Sequence, residues 1–362
     1  MRPPLRATVS LDLDDLWTYL KTRGDARWAS YPTYLPVVVP RALALLDELN
    51  LKITFFIVGR DAAVPAHLPL MRALADHGHE IGNHSYEHDC WLHLFQPAQL
   101  NADLGRAEEA IERATGRRPQ GFRGPGFSWS SGLLDVLAER GYLYDASTLP
   151  TIVAPLARTY FLWTAQLSAE ERKERQALFG SFEDAVRPIK PYRWELPSGP
   201  SLLEVPVTTI PGVRIPFHLS YLLYLRSFSW HLMVAYLETA LFLCRLCRVE
   251  PTFLLHPLDL VASAEAPGLE FFPGMGLSVE RKADVFRHAL GRIQNQFHVV
   301  TLESFAGDLA GNTALEVRRP NRRLDAGARR AHGPTTPAMQ GPHSPSFRLT
   351  PPESFSRVDT EV

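Results

Sequence analysis

Two aspartates and two histidines in the sequence have the types and the spacing of a catalytic metal site. Asp12 and Asp14 alternate in SLDLDD, so on a strand both side chains would leave the same face. Two carboxylates facing one space repel each other unless a cation lies between them or one holds a proton. His84 and His88 in GNHSYEHDC add two neutral imidazoles. Two histidines and one carboxylate can hold a divalent cation and leave positions open for water.

The elements that would position these residues follow a βαβα rhythm from residue 5 to about residue 150. The runs ATVSLDL and ITFFIVG have the composition of strands, and RALALLDEL between them has apolar residues at helical spacing. This alternation predicts an α/β fold with a parallel sheet covered by helices. The strand ends would fall at residues 12–15, 58–59 and 83–84, and in a barrel such ends share the face where catalytic residues collect.

Composition excludes several classes of protein. The chain of 362 residues carries 38 basic and 39 acidic residues, so no nucleic-acid partner is indicated. Only three cysteines are present, and aspartates interrupt the N-terminal segment before an apolar signal region could form. We therefore expect a cytoplasmic protein without a disulfide scaffold.

The rhythm breaks over residues 155–250, where we predict a helical insertion in a domain that spans residues 1–310. The apolar run at residues 218–247 is interrupted by charged side chains, which are costly at a bilayer centre, so we do not expect it to span a membrane. It either packs on the barrel or makes a peripheral contact with lipid at the inner membrane face. Residues 311–362 are rich in Arg and Pro and poor in large apolar residues, which predicts a disordered tail.

Five short motifs resemble those of the polysaccharide deacetylases of the NodB-homology type, carbohydrate esterase family 4. They are SLDLDD, HSYEH, RGPGF at 123–127, YDAS around Asp145, and LLH at 254–256. The resemblance covers about residues 8–150 and 250–305. It implies a distorted (β/α) barrel of about seven strands. It also implies a metal-dependent hydrolase that removes an N-acyl group, acetyl or formyl, from an amino sugar.

The resemblance implies roles for the residues around the metal. Asp14, His84 and His88 would bind one divalent metal, zinc in most of the family, and Asp12 would be the base for a water that the metal activates. A divalent cation lowers the pKa of such a water toward 7, within reach of a carboxylate. Arg123 would keep Asp12 ionised and oriented, as a guanidinium fork can.

Further roles follow from the third, fourth and fifth motifs. His256 would be the general acid that protonates the leaving amine, and an imidazole that titrates near neutral pH suits this task. Leu254 and Pro125 would contact the substrate, with Leu254 against the small acyl group. Asp145 is a weaker match for the carboxylate that orients His256, because the fourth motif lacks its usual aromatic ending.

Two questions stay open at the level of sequence. The family has adjacent aspartates in its first motif, so Asp14 and Asp15 are an alternative to Asp12 and Asp14 as base and ligand. Alternate residues of a strand share a face, and this favours Asp12 and Asp14. The N-acylated sugar could be a lipid-linked glycan precursor. Alternative functions are the hydrolysis of small non-sugar amides on the same fold, and carbohydrate binding without catalysis.

Overall fold

A predominantly parallel sheet forms the centre of the molecule. The computed structural model describes residues 4–154, 165, 167–174, 185–199 and 201–320. The strands in chain order are β1 (Arg6–Leu13), β2 (Thr54–Ile57), β3 (Glu80–Asn83), β4 (Gly121–Phe122), β5 (Tyr144–Asp145), β6 (Tyr192–Glu195), β7 (Ser201–Glu204), β8 (Thr252–Leu255), β9 (His298–Val300) and β10 (Val317–Arg318). Their order in the sheet is β10-β6-β7-β5-β4-β3-β2-β1-β8, and β9 also pairs with β1.

Helices cover the sheet and connect its parallel strands. In chain order they are α1 (Leu16–Arg23), α2 (Leu35–Glu48), α3 (Gly59–Ala62), α4 (Leu68–Asp76), α5 (Pro97–Thr115), α6 (Ser131–Glu139), α7 (Ala169–Glu174), α8 (Leu219–Arg226), α9 (Trp230–Leu246), α10 (Val279–Gln296) and α11 (Leu302–Ala310). The large hydrophobic core between sheet and helices includes side chains from β1, α2, α5, α9 and α10.

β1 lies within the part of the sheet whose strands carry the candidate site residues. It pairs in parallel with β2, where Asp12 lies beside Phe56, and with β8, where Leu11 lies beside Leu255. All its residues after Arg6 are buried, as expected for a parallel strand with both faces covered. The aspartates at its end are therefore held by a rigid element.

The register brings the carboxyl ends of several strands to one edge of the sheet. Successive pairs link the last residues of β1, β2, β3 and β4. The residues that follow directly include Asp14, His84 and Arg123, and His256 follows β8 at the same edge. The predicted α/β fold is confirmed, and the structure places these candidate residues at the expected edge.

The sheet bends round on itself, although its strand ladder does not close into a barrel within the described residues. The segment after β7 reaches β8, because Thr208 N donates to Thr252 O at 3.1 Å and Thr252 N donates to Thr208 Oγ1 at 2.8 Å. Val207 N donates to Thr148 O, just beyond β5, at 2.9 Å. This segment therefore connects the β5 side of the sheet with β8.

The range predicted as a helical insertion also contributes strands to the main sheet. β6 and β7 form an antiparallel hairpin, and β7 pairs in parallel with β5. The prediction of a helical insertion at about residues 155–250 is wrong for β6 and β7, because YRWE and SLLE are too short to show a clear strand period. Residues 155–164, 166, 175–184 and 200 of the range lie outside the described residues.

The helical part of this range is the pair α8 and α9. α9 buries Met233, Leu237 and Leu241 on one face, and α8 contacts β8 and α10, so the pair packs on the sheet domain. In the described part of the chain, no helix has both the length and the apolar character needed to cross a membrane.

The domain extends beyond the predicted boundary at residue 310. β10 pairs in parallel with β6, and Arg193 N donates to Glu316 O at 2.8 Å. The prediction of a disordered tail is therefore wrong for residues 311–320, because this segment satisfies the outer edge of β6. Residues 321–362 lie outside the described residues.

A stability prediction follows from the close packing of β4 on β5. A Cβ added at Gly121 would overlap the ring of Tyr144, which is buried and donates its hydroxyl proton to Glu80 Oε1 at 2.6 Å. We expect Gly121→Ala to lower the free energy of unfolding by about 1–3 kcal/mol, as overpacking of a core does. Urea denaturation of the wild type and the variant measures this difference.

The control is Gly291→Ala in α10, where an added Cβ meets no atom within 4 Å. Alanine has the higher helix propensity, so this variant should be unchanged or more stable by up to about 1 kcal/mol. Equal midpoints for Gly121→Ala and the wild type would contradict the packing described here.

Candidate metal centre and active site

The junction of β1 and α1 separates the roles of two adjacent aspartates. Asp15 is the N-cap of α1, and its Oδ1 accepts from Leu16 N at 2.7 Å and from Tyr34 N at 3.0 Å. An N-cap carboxylate bonded in this way is committed to the backbone. Asp14 instead lies against His84 and His88. This arrangement favours Asp14 over Asp15 as a metal ligand.

Asp14, His84 and His88 form a compact cluster of buried donor atoms. Asp14 Oδ1 lies 3.2 Å from His84 Nε2 and 2.9 Å from His88 Nε2, and one donor atom from each residue lies within 4.8 Å of the others. Asp14 Oδ1 and both ring nitrogens of His88 have no hydrogen bond of normal geometry in the described chain. Buried polar atoms that converge without hydrogen bonds fit a cation between them.

The electrostatics of this cluster favour positive charge beside Asp14. Burial lowers the pKa of His88, but the charge and hydrogen bond of Asp14, together with Cys90, act in the opposite direction and raise the pKa to about 10. Burial also opposes ionisation of Asp14, yet His88 and His84 hold the pKa of that carboxyl well below its usual range. A divalent cation would supply the same positive charge without a proton.

His84 has the tautomer that a metal ligand needs. Its Nδ1 lies 2.6 Å from Arg123 O, and a carbonyl only accepts, so Nδ1 carries the proton. The lone pair of Nε2 then faces Asp14. A hydrogen bond from the second ring nitrogen is the usual support of a histidine ligand.

The loop that carries both histidines is held in an uncommon backbone conformation. Ser85 and His88 have φ values of 64° and 52°, in the left-handed region. Ser85 N donates to Asn83 Oδ1 at 2.8 Å, and His88 N donates to Ser85 Oγ at 3.1 Å. These bonds offset the strain and turn His88 back toward His84.

Asp12 and Arg123 form a buried ion pair next to the cluster. Arg123 Nη1 donates to Asp12 Oδ1 at 2.6 Å and to Ser10 Oγ at 2.8 Å. Its Nε donates to Ala146 O at 3.1 Å, and its guanidinium carbon lies 4.4 Å from the centre of the Phe56 ring. The guanidinium is fully buried, so it fixes the orientation of Asp12.

His256 follows β8 and is contacted by groups that sequence analysis did not single out. His256 N donates to Asp259 Oδ2 at 2.9 Å, and Ser220 Oγ lies 3.4 Å from His256 Nδ1. The ring of His218 lies 5.7 Å from that of His256. Both Ser220 and His218 come from the start of α8, inside the range predicted as an insertion.

Asp145 does not contact His256 in the described structure. It accepts a hydrogen bond from Ser147 Oγ and lies beside Glu204, which is bonded to Thr148 and Trp194. Burial raises the pKa of Asp145 to about 6. The geometry therefore gives no support to Asp145 as the group that orients His256.

The two predicted substrate contacts are both buried. Leu254 in β8 packs with Leu149 and Val207, and Phe127 lies against this group. Pro125 begins a single helical turn that ends at Phe127. Their contact with a substrate stays a prediction.

Tyr19 in α1 is a further polar residue that sequence analysis missed. Its hydroxyl is buried and has no hydrogen-bond partner in the part of the chain that the structure describes. Burial raises the pKa of Tyr19 well above its usual value, and the charges of Asp14 and Asp259 add to the effect. The sequence feature that could have drawn attention to Tyr19 is its position one helical turn after the N-cap Asp15.

Comparisons with known proteins relate part of the chain to one family. Residues 4–144 match the family described as polysaccharide deacetylase. A peptidoglycan deacetylase-like protein of Gibberella zeae is 35% identical over 154 residues, 40% of this chain and 44% of the relative. The peptidoglycan deacetylase of Helicobacter pylori is 28% identical over 119 residues, 33% and 40% of the two chains. The match therefore spans less than half the length of these curated relatives.

Solved structures show the same fold over most of the chain. A proposed polysaccharide deacetylase from Mycobacterium smegmatis has a TM-score of 0.56 at 21% identity, with coverage of 89% of this chain and 97% of the other. The Puue allantoinase has a TM-score of 0.50 at 16% identity, with coverage of 86% and 95%. At these identities the likeness concerns the fold.

The ligand set makes a prediction about zinc binding. We expect the wild-type protein to bind about one zinc per chain, and His84→Ala and Asp14→Asn to lose it, because three ligands are the minimum of such sites. Metal analysis after dialysis measures the content. Zinc at about 100 times its Kd should also stabilise the wild type by about 2.7 kcal/mol in thermal unfolding.

Asp15→Asn is the matched control, since asparagine also caps helices well and the variant should keep its zinc. If Asp15→Asn loses zinc while Asp14→Asn retains it, the adjacent pair of aspartates is the true equivalent of the family motif.

Proposed function

We propose that the protein is a metal-dependent hydrolase that removes the N-acetyl group from an amino sugar. The convergence of Asp14, His84 and His88 at the carboxyl edge of the sheet is the observation that carries this proposal. The match of residues 4–144 to the polysaccharide deacetylase family supports it. The relatives named above as peptidoglycan deacetylases support a carbohydrate substrate, and the chain's own substrate is part of the proposal.

Asp12 would act as the general base. When bound to the three ligands, the metal, zinc in our proposal, supplies Lewis-acid chemistry that activates water and polarises the acyl carbonyl. Asp12 takes the proton from the attacking water. The hydrogen bond from Arg123 Nη1 holds this carboxylate in one orientation for that transfer. Burial of the pair keeps both groups in one orientation.

His256 would act as the general acid. An amine leaves poorly unless it is protonated as the C–N bond breaks, so a donor must stand on the leaving-group side. His256 comes from β8, and Asp12 lies on the adjacent β1. The two groups can thus approach the scissile bond from neighbouring strands.

The role of Asp12 predicts a separation of metal binding from activity. Asp12→Asn should keep its zinc but lose about 10²- to 10⁴-fold in rate on an N-acetylated oligosaccharide, as removal of a general base does. The release of acetate measures the rate, and metal analysis measures the zinc.

Asp284→Asn, at an exposed site on α10, is the control and should be indistinguishable from the wild type. A zinc-free Asp12→Asn protein would show instead that Asp12 is a ligand.

Three alternatives are tested by the same assay. Hydrolysis of small non-sugar amides remains compatible with the fold, and an N-formyl sugar would fit the same chemistry. A carbohydrate-binding module without catalysis would bind the oligosaccharide and release no acid. A panel of N-acetyl sugars, N-formyl sugars and small amides distinguishes these outcomes.

A lipid-linked substrate is the finer form of the proposal. α8 and α9 expose several large apolar side chains, namely Tyr224, Phe228, Leu232, Phe242 and Leu246. The acidic residue on α9, Glu238, is paired with Arg292, whereas Arg245 and Arg248 are exposed. Apolar side chains with nearby cations fit an anionic lipid surface. We propose that this face contacts membrane lipid and admits a lipid-carried glycan precursor.

Flotation with vesicles tests the lipid contact. We expect the wild-type protein to float with phosphatidylglycerol vesicles and Phe242→Glu to remain in solution, since a carboxylate opposes both burial and the anionic surface. Val317→Glu in β10 is the control, because Val317 is 55% exposed and Phe242 is 53% exposed. Wild-type protein that fails to float would remove the lipid-linked substrate from the proposal.

A further inference from the structure

A chain of hydrogen bonds leads away from His256 into the loop that follows β8. Ser220 Oγ donates to Asp259 Oδ1 at 2.7 Å and lies 3.4 Å from His256 Nδ1. The second oxygen of the carboxylate, Asp259 Oδ2, accepts from His256 N at 2.9 Å. Ser220 and Asp259 are both buried. The backbone amide of His256 is thus bonded directly to Asp259, and its ring is connected to the same carboxylate through Ser220.

The donors and acceptors of this chain have only one consistent direction. A carboxylate accepts hydrogen bonds and has no proton to give, so the single hydroxyl proton of Ser220 points to Asp259. The lone pairs of Ser220 Oγ therefore face His256 Nδ1, which must carry a proton to bond with them. Nε2 of His256 is then left to face a substrate.

A buried lysine fixes the loop from the other side. Lys282 in α10 is fully buried, and its Nζ donates to Leu258 O at 2.7 Å and to Val261 O at 2.8 Å. These carbonyls flank Asp259 in sequence. Burial raises the pKa of Asp259, whereas the hydrogen bonds from His256 N and Ser220 and the positive charge of Lys282 oppose this shift.

Among the described residues, His218 is a titratable group beside His256, and Tyr19 lies within electrostatic range of Asp259. Burial lowers the pKa of His218 well below its usual value, so this ring is neutral at physiological pH. Burial likewise keeps Tyr19 in its neutral form. Asp259 is therefore the anion that faces the imidazole from the loop, and Lys282 is the cation behind it.

We propose that Ser220 and Asp259 form a relay that orients His256 as the general acid, with Ser220 bridging the ring and the carboxylate. The inference rests on the proposed function for its catalytic meaning. Both are positioning residues, because neither touches the reacting atoms. The relay places the orienting carboxylate on the loop after β8, at Asp259, and gives α8 a direct part in the site.

The tautomer of His256 tests the relay without reference to activity. In protein labelled with ¹⁵N-histidine, we expect His256 to be protonated at Nδ1 in the wild type. In Ser220→Ala this preference should be lost, and in Ser220→Thr, which keeps a hydroxyl, it should return. Ser227→Ala is the matched control on the same helix, where Ser227 Oγ bonds only Leu223 O in the described structure. A His256 tautomer that is the same in Ser220→Ala and Ser227→Ala would overturn the relay.

Two substrates with different leaving groups test whether the relay contributes to catalysis. Ser220→Ala should lower kcat/KM for an N-acetyl sugar about tenfold, the size expected for a hydrogen bond to a charged group. An activated acetate ester needs little protonation, so its hydrolysis should change far less. The alkaline limb of the pH profile should move to lower pH by about half a unit to one unit, because the protonated imidazole has lost an acceptor.

The experiments distinguish a failure of the relay from a failure of the proposed function. Equal losses on amide and ester with an unmoved alkaline limb would overturn the orienting role. If the wild type hydrolyses neither substrate, the proposed function fails, while the tautomer experiment still decides whether the relay exists. Ser220→Thr keeps a hydroxyl at this position. If it restores the wild-type behaviour, the effects of Ser220→Ala come from loss of the hydroxyl and not from misfolding.

Discussion

One buried guanidinium connects the strands on which the candidate site depends. Arg123, directly after β4, bonds Asp12 and Ser10 on β1 and the carbonyl of Ala146 after β5, and it stacks on Phe56 of β2. Its own carbonyl accepts from His84. Breaking a buried pair by removing one partner typically costs about 3–5 kcal/mol, because a charge is left without compensation. Arg123 thus orients the proposed base with its side chain, supports a proposed metal ligand with its carbonyl, and links four strands.

The candidate metal site combines several features that oppose folding. A strained loop, two buried imidazoles and a buried carboxylate each oppose folding, and together they create a space that favours a dication. Functional sites often keep such unfavourable local features where the surrounding structure determines them. Here the β3–α5 connection is fixed by hydrogen bonds of Asn83 and Asp103 to successive backbone amides.

Sequence reasoning recovered what depends on local periodicity. The strand ends could be aligned because parallel strands share an edge, whereas strand alternation does not decide the direction of Asp14, which lies beyond the end of β1 at Leu13. Asp15 could have been recognised as an N-cap before LWTYLKTR. Ser220 and Asp259 could not be paired from sequence, since 39 residues separate them and only the packing of α8 brings them together. The short strands β6 and β7 carry too few residues for a period to show.

The last short strand, β10, protects an edge. Without it, β6 would present a row of unpaired backbone amides and carbonyls, starting with the Arg193 amide that now bonds Glu316 O. An open edge of this kind recruits strands from neighbouring molecules. A shortened form of the protein that stopped near residue 310 would keep every candidate catalytic residue and yet be prone to self-association. The smallest well-behaved unit should therefore run through Arg318.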